Sequence, residues 1–293
     1  MNAQFRIRFF RGLMTAAFLF SVGHAFAQDP EQKRIERQNR REGQGSPASQ
    51  PAGYQITTET IEIPRGDVKV KAYFARPVTQ TPVPGLILVH EWYGLNDWVK
   101  QQADRFARNG FAAIAVDLYR GEVASDSDHA HELMRGLPED RAIADMKAAF
   151  AHLAMQEAVR GEKIGAIGWC MGGSYSLQLA IEEPKLDAAV ICYGRPVNDP
   201  ERLKLIKCPL LGIWGETDRG IEVEPFRKAL KEAKIDAEHH VYPGAGHAFL
   251  NENNKRGFDA KQAGRAWKEI DAFLEKTLRR QPVGQQAEQE EQK

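Results

Sequence analysis

The chain has 293 residues, 42% of them hydrophobic, enough for one large core once the polar ends are set aside. Forty basic and forty acidic residues cancel, and no basic cluster interleaved with aromatics marks a nucleic-acid surface. Polyanionic partners are therefore not expected, and a small molecule is.

Arg6, Arg8 and Arg11 precede an apolar run from Leu13 to Val22, and Ala25-Phe26-Ala27 follows it. These are the charged, apolar and A-x-A regions of a secretory signal peptide, so residues 1–27 are expected to be cleaved and the mature protein exported, periplasmic or secreted. The apolar run is about half of the ~20 residues that a spanning helix needs, so no stable membrane insertion is expected after cleavage. Residues 28–53 and 279–293 are rich in Gln, Arg, Glu, Ser and Pro with little to bury, and read as a disordered linker and tail.

Between those ends the hydrophobic period changes in a regular order. Ile56 to Ile63 and Val68 to Ala75 alternate apolar and polar residues around Pro64-Arg65-Gly66-Asp67, which predicts an antiparallel hairpin at a sheet edge. Short continuous apolar runs follow at Gly85 to His90, Phe111 to Val116, Lys163 to Gly168, Ala188 to Tyr193 and Pro209 to Trp214, the pattern of strands buried on both faces. Helix-period segments run over Val99 to Arg108, Glu139 to Gln156, Met171 to Glu182, Pro225 to Ala233 and Ala260 to Leu278. The expected fold is α/β: one domain over residues 54–278, with a mostly parallel sheet, an antiparallel edge hairpin and helices on both faces. Ligands of such sheets bind beyond the carboxyl ends of the strands.

The sharpest motif is Gly168-Trp169-Cys170-Met171-Gly172-Gly173, between a strand and a helix. It is the G-x-S-x-G elbow of the α/β-hydrolases with sulfur in place of oxygen, and its glycines permit the tight turn that exposes the central side chain. The helix N-terminus favours a thiolate and a developing oxyanion, with the Met171 N–H as one donor. In this fold the chain order runs nucleophile, acid, histidine. Gly215-Glu216-Thr217-Asp218 and Pro243-Gly244-Ala245-Gly246-His247 both follow strands in that order. His247 is the candidate base and Asp218 the acid that orients it, with Glu216 as the rival.

Together with His90-Glu91-Trp92-Tyr93-Gly94-Leu95-Asn96, Asp117-Leu118-Tyr119 and His247-Ala248-Phe249, the elbow resembles the dienelactone hydrolase family over about residues 56 to 276. The resemblance implies an ester or lactone hydrolase with Cys170 as nucleophile, Asp218 and His247 as partners, and an oxyanion hole from the N–H groups of Met171 and Trp92. It also implies that Glu91 holds the resting thiol and helps to take its proton. A partly desolvated carboxylate after a buried strand suits such a role, although it also suits a loop cap.

One departure concerns the substrate. Members that degrade chloroaromatics carry an arginine four residues after the catalytic histidine, where it pairs with the substrate carboxylate. Here that position is Asn251, and a neutral amide cannot replace a bidentate guanidinium. Arg120 is the alternative cation, and Tyr93 and Tyr119 are candidate pocket walls.

No cofactor or metal is expected: His90 has no second histidine four residues on, and adjacent His239 and His240 on a strand point to opposite faces. His129 and His131 lie in a polar helical stretch and are expected to face solvent. Cys192 and Cys208 fall at opposite ends of neighbouring parallel strands, beyond the reach of a disulfide. The same triad could also serve an acyltransferase or thioesterase, and the fold could serve a non-catalytic binding module. A redox role for Cys170 lacks a second cysteine in the motif.

Overall fold

The computed structural model describes residues 53–159 and 162–279. The expected leader lies outside the described residues, as do nearly all of the expected linker and tail.

Among the described residues, eight strands form one sheet: β1 (Ile56–Arg65), β2 (Val68–Pro77), β3 (Gly85–Val89), β4 (Ala112–Val116), β5 (Ile164–Trp169), β6 (Ala188–Cys192), β7 (Leu210–Gly215) and β8 (Ala237–Tyr242). Their order across the sheet is β1-β2-β4-β3-β5-β6-β7-β8. β2 pairs antiparallel with both β1 and β4, and every other pairing is parallel. The continuous apolar runs of β3 to β7 are buried along their whole length. The alternating β1 is mostly wet, as an edge strand with one solvated face should be.

Among the described residues, seven helices accompany the sheet: α1 (Asp97–Arg108), α2 (Ser127–Arg135), α3 (Glu139–Met155), α4 (Met171–Glu182), α5 (Pro200–Leu203), α6 (Val223–Ala233) and α7 (Ala260–Leu278). Their starts follow from local chemistry. The Asn96 side chain accepts from the Val99 N–H ahead of α1, and the Asp259 side chain accepts from the Gln262 N–H ahead of α7, each satisfying an amide with no carbonyl one turn earlier. The expected strands and long helices are all present, with ends shifted by a residue or two.

Two short helices lie outside the five periodic segments, one of them the polar helical stretch that holds His129 and His131. Of the residues in α2 only Ala130 is buried, so the polar stretch holds no apolar stripe to read, and its Asp126 cap supplies the signal. The four residues of α5 are too few for any period and rest on the Asp199 cap and Pro200.

The chain reaches β4 on one side of β3 and then places β5 on its other side. That reversal opens a crevice past the carboxyl ends of β3 and β5. Val89 pairs with Gly168 in the parallel register, so the segment starting at His90 runs beside the elbow. Cys192 pairs with Trp169, which brings Tyr193 alongside from the other flank.

Candidate active site

The elbow is strained where chemistry needs it. Cys170 has φ 55° and ψ −118°, a region that L-residues rarely occupy and that a tightly packed surround must hold. Close backbone packing supplies that surround. A Cβ on Gly168 would lie 2.0 Å from the Gly172 carbonyl oxygen, and one on Gly172 would lie 2.1 Å from the Val89 carbonyl oxygen. No side chain fits at either position, so the elbow and the end of β3 meet through bare backbone.

Three side chains converge in the expected order. The Cys170 Sγ lies 3.1 Å from His247 Nε2, and His247 Nδ1 lies 2.7 Å from Asp218 Oδ2. The Asp218 side chain is 6% exposed and that of His247 43%, so the carboxylate is shielded while the imidazole faces the cleft. Glu216, the rival acid, instead accepts from the Gly244 N–H at 2.9 Å and braces the loop that carries His247. Burial alone would lower the His247 pKa. The hydrogen bonds to Asp218 and Cys170, with the charges behind them, outweigh burial and push it up to about 10. A protonated imidazole beside sulfur is the partner a thiolate needs.

Glu91 is 5% exposed. Its Oε2 accepts from Asn251 Nδ2 at 2.6 Å and its Oε1 from the Tyr193 hydroxyl at 3.3 Å. Burial raises its pKa, against the Asn251 bond, the His247 charge and the Tyr193 bond. The contact with the resting thiol implied by the resemblance is replaced here. Sulfur faces the imidazole, and Glu91 is held by an amide and a phenol. Asn251, expected only as a missing cation, is thus the closest polar partner of Glu91.

Two cavities meet at Cys170 and His247. One, of about 600 Å³, is lined by Glu91, Trp92, Tyr93, Asn251, Lys255 and Arg256 among others. The other, of about 420 Å³, has an apolar wall of Met134, Met171, Tyr193 and Ile221. Tyr93 therefore takes its expected place as a wall.

Tyr119 and Arg120 do not line either cavity. Tyr119 is 4% exposed, packs edge-on against His90 with ring centroids 4.9 Å apart, and donates its hydroxyl to Met171 Sδ at 3.2 Å. It supports the elbow from below. Arg120 Nη2 lies 2.6 Å from Oδ2 of the fully buried Asp145, whose Oδ1 is 2.7 Å from Arg65 Nε. A buried carboxylate holds its cations tightly because either charge left alone is costly, and Arg120 is spent there. The cations at the cleft are instead Lys255 and Arg256, eight and nine residues after His247, in a loop whose composition gave no signal. Among the described residues neither side chain has an ion-pair partner.

His131 is exposed but packs edge-on against Trp92 at 4.7 Å, and His129 is half-buried. His239 and His240 are half-buried on β8. Cys192 and Cys208 are buried free thiols, and no described helix is long and apolar enough to cross a membrane.

The model of the dienelactone hydrolase family matches residues 70–278. "Protein usf" of Aquifex pyrophilus is 35% identical over 230 residues, covering 75% of this chain and 99% of its own. A Yersinia pestis protein provisionally named carboxymethylenebutenolidase is 32% identical over 249 residues, covering 78% and 92%. A crystal structure from Klebsiella pneumoniae, provisionally named dienelactone hydrolase, is 29% identical with a TM-score of 0.69, covering 74% of this chain and 98% of that one. The chain belongs to the dienelactone hydrolase family and is a carboxylic ester or lactone hydrolase.

Proposed function

We propose that hydrolysis proceeds through a thioester on Cys170. The Cys170 thiolate attacks the acyl carbon, and the carbonyl electrons move to oxygen, where the N–H groups of Trp92 and Met171 receive the charge. Collapse of this intermediate expels the alkoxide, which takes a proton from His247 Nε2. Water then gives a proton to His247 and attacks the thioester, and sulfur leaves as thiolate beside the restored imidazolium. Asp218 keeps the imidazole in the required orientation throughout. The observation that carries this reading is the sulfur, imidazole and carboxylate in one hydrogen-bonded line at a strained elbow. Rapid mixing with p-nitrophenyl acetate should give a burst and, on acid quench, one acetyl adduct located on Cys170 by peptide mass spectrometry. Turnover without any adduct on that peptide, under conditions where deacylation is limiting, argues against the thioester route.

The substrate should span both cavities, with an apolar part against Met134, Met171 and Ile221 and a carboxylate facing Lys255 and Arg256. Each exposed pairing is worth up to about 1 kcal/mol, so replacing both cations by alanine should raise KM for a carboxylate-bearing ester by about 5- to 30-fold. The KM of its neutral methyl ester should not move, and equal changes for the two esters would remove these residues from recognition. The signal-peptide pattern of residues 1–27 supports an exported enzyme, which the mass of the mature N-terminus would test.

A further inference from the structure

His90 is fully buried just after β3 and lines neither cavity. Both of its ring nitrogens are nevertheless engaged. Nδ1 lies 2.6 Å from the Glu91 carbonyl oxygen, and Nε2 lies 3.2 Å from the Leu118 backbone nitrogen. The Leu118 amide can only donate, so Nε2 must be the bare acceptor and Nδ1 must carry the hydrogen. One tautomer satisfies both contacts, and the ring is neutral in it. Burial, opposed by the bond to the Glu91 carbonyl, holds the imidazole down at about 4, which keeps it neutral at physiological pH.

The carbonyl that His90 grips belongs to the peptide joining Glu91 to Trp92. No peptide bond in the described chain is cis, and in a planar trans peptide the C=O and N–H point in opposite directions. Fixing the Glu91 oxygen therefore fixes the direction of the Trp92 N–H. The Gly94 N–H adds a second bond to the same oxygen, at 3.1 Å. Among the described residues no backbone carbonyl takes the Trp92 N–H itself. The elbow adjoins this segment directly, since a Cβ on Gly172 would meet the carbonyl oxygens of Val89 and His90 at 2.1 and 2.5 Å.

We propose that His90 is a positioning residue of the oxyanion hole, its Nδ1–H holding the Glu91 carbonyl so that the Trp92 N–H is aimed at the substrate oxygen. The tautomer is set from outside the site by the Leu118 N–H, which ties the turn after β4 to the geometry of the hole. This role rests on the reaction proposed above, in which Trp92 supplies one of the two donors.

The test is a pair of variants read by two assays. Losing an oxyanion donor costs about 10²- to 10³-fold in kcat, so His90→Leu should lose kcat toward p-nitrophenyl acetate on about that scale, with KM unchanged. Alkylation of Cys170 by iodoacetamide forms no oxyanion, and its rate should match the parent's. His90→Gln carries one donor and one acceptor on its amide and should restore most of the kcat. An unchanged kcat in the leucine variant overturns the proposal. So does a parallel loss of alkylation and turnover, or a glutamine variant as slow as the leucine one. Should the leucine variant not fold, the ¹⁵N imidazole spectrum of the parent decides: a neutral Nδ1–H ring at pH 7 is expected, and an Nε2–H ring or an imidazolium overturns the assignment. Failure of the thioester reading would look different, since the alkylated parent enzyme would then still hydrolyse the ester.

Discussion

Replacing Cys170 by alanine should lower ester turnover by at least about 10⁴-fold, the scale on which nucleophile removal acts in enzymes whose catalytic groups work as a unit. The alanine variant has no atom to carry the acyl group, so the reaction would fall back on whatever the oxyanion donors and the cleft contribute alone. Folding should be spared. The position is half-buried, its backbone strain comes from the packing of Gly168 and Gly172 rather than from the side chain, and alanine carries the same Cβ as cysteine. Thermal unfolding should therefore move little while activity disappears, and full activity in the variant would reject the nucleophile. Cys170→Ser should retain little or altered activity, because a hydroxyl is a far weaker nucleophile than a thiolate and lacks the charge by which Cys170 helps to hold the proton on His247.

Asp218→Asn should lower kcat by about 10²- to 10⁴-fold and move the pH profile as well. His247 has a pKa pushed up to about 10, with burial opposing and the Asp218 and Cys170 interactions prevailing. The imidazolium must protonate the departing alkoxide, so acylation should persist through neutral pH and fall as pH rises through about 10. An asparagine removes the charge and leaves only a neutral amide oxygen to accept from Nδ1–H, so the alkaline limb should shift to lower pH. A pH–rate profile of the two proteins under acylation-limited conditions checks this. An alkaline limb that stays in place would mean that Asp218 does not support the proton on His247.

The position of Asn251 changes how Glu91 is understood. With an arginine there, a buried carboxylate would have a full cationic partner. Here Glu91 has an amide and the Tyr193 hydroxyl, both neutral, and burial is left to raise its pKa. The cationic character of the cleft has moved outward to Lys255 and Arg256, at the surface where solvent screens them.

Local order in the sequence determined the fold and the hydrogen-bonded line of Cys170, His247 and Asp218. The five buried runs, the alternating hairpin and the helical periods state the layers, because a strand covered on both faces can contain little but apolar residues. The glycines of the elbow and the loops after β7 and β8 name Cys170, Asp218 and His247, because backbone turns of that kind demand particular residues at fixed spacing. What the tertiary structure alone decided concerns long side chains and distant partners. Arg120 reads as a cleft cation until Asp145, twenty-five positions later in the chain, claims it. Tyr119 reads as a wall until its hydroxyl finds Met171. The Glu91 bond to Asn251 spans 160 positions, and the His90 bond from Leu118 spans 28. Such pairings depend on where rotatable side chains end once the sheet has closed, and nothing in local spacing encodes that.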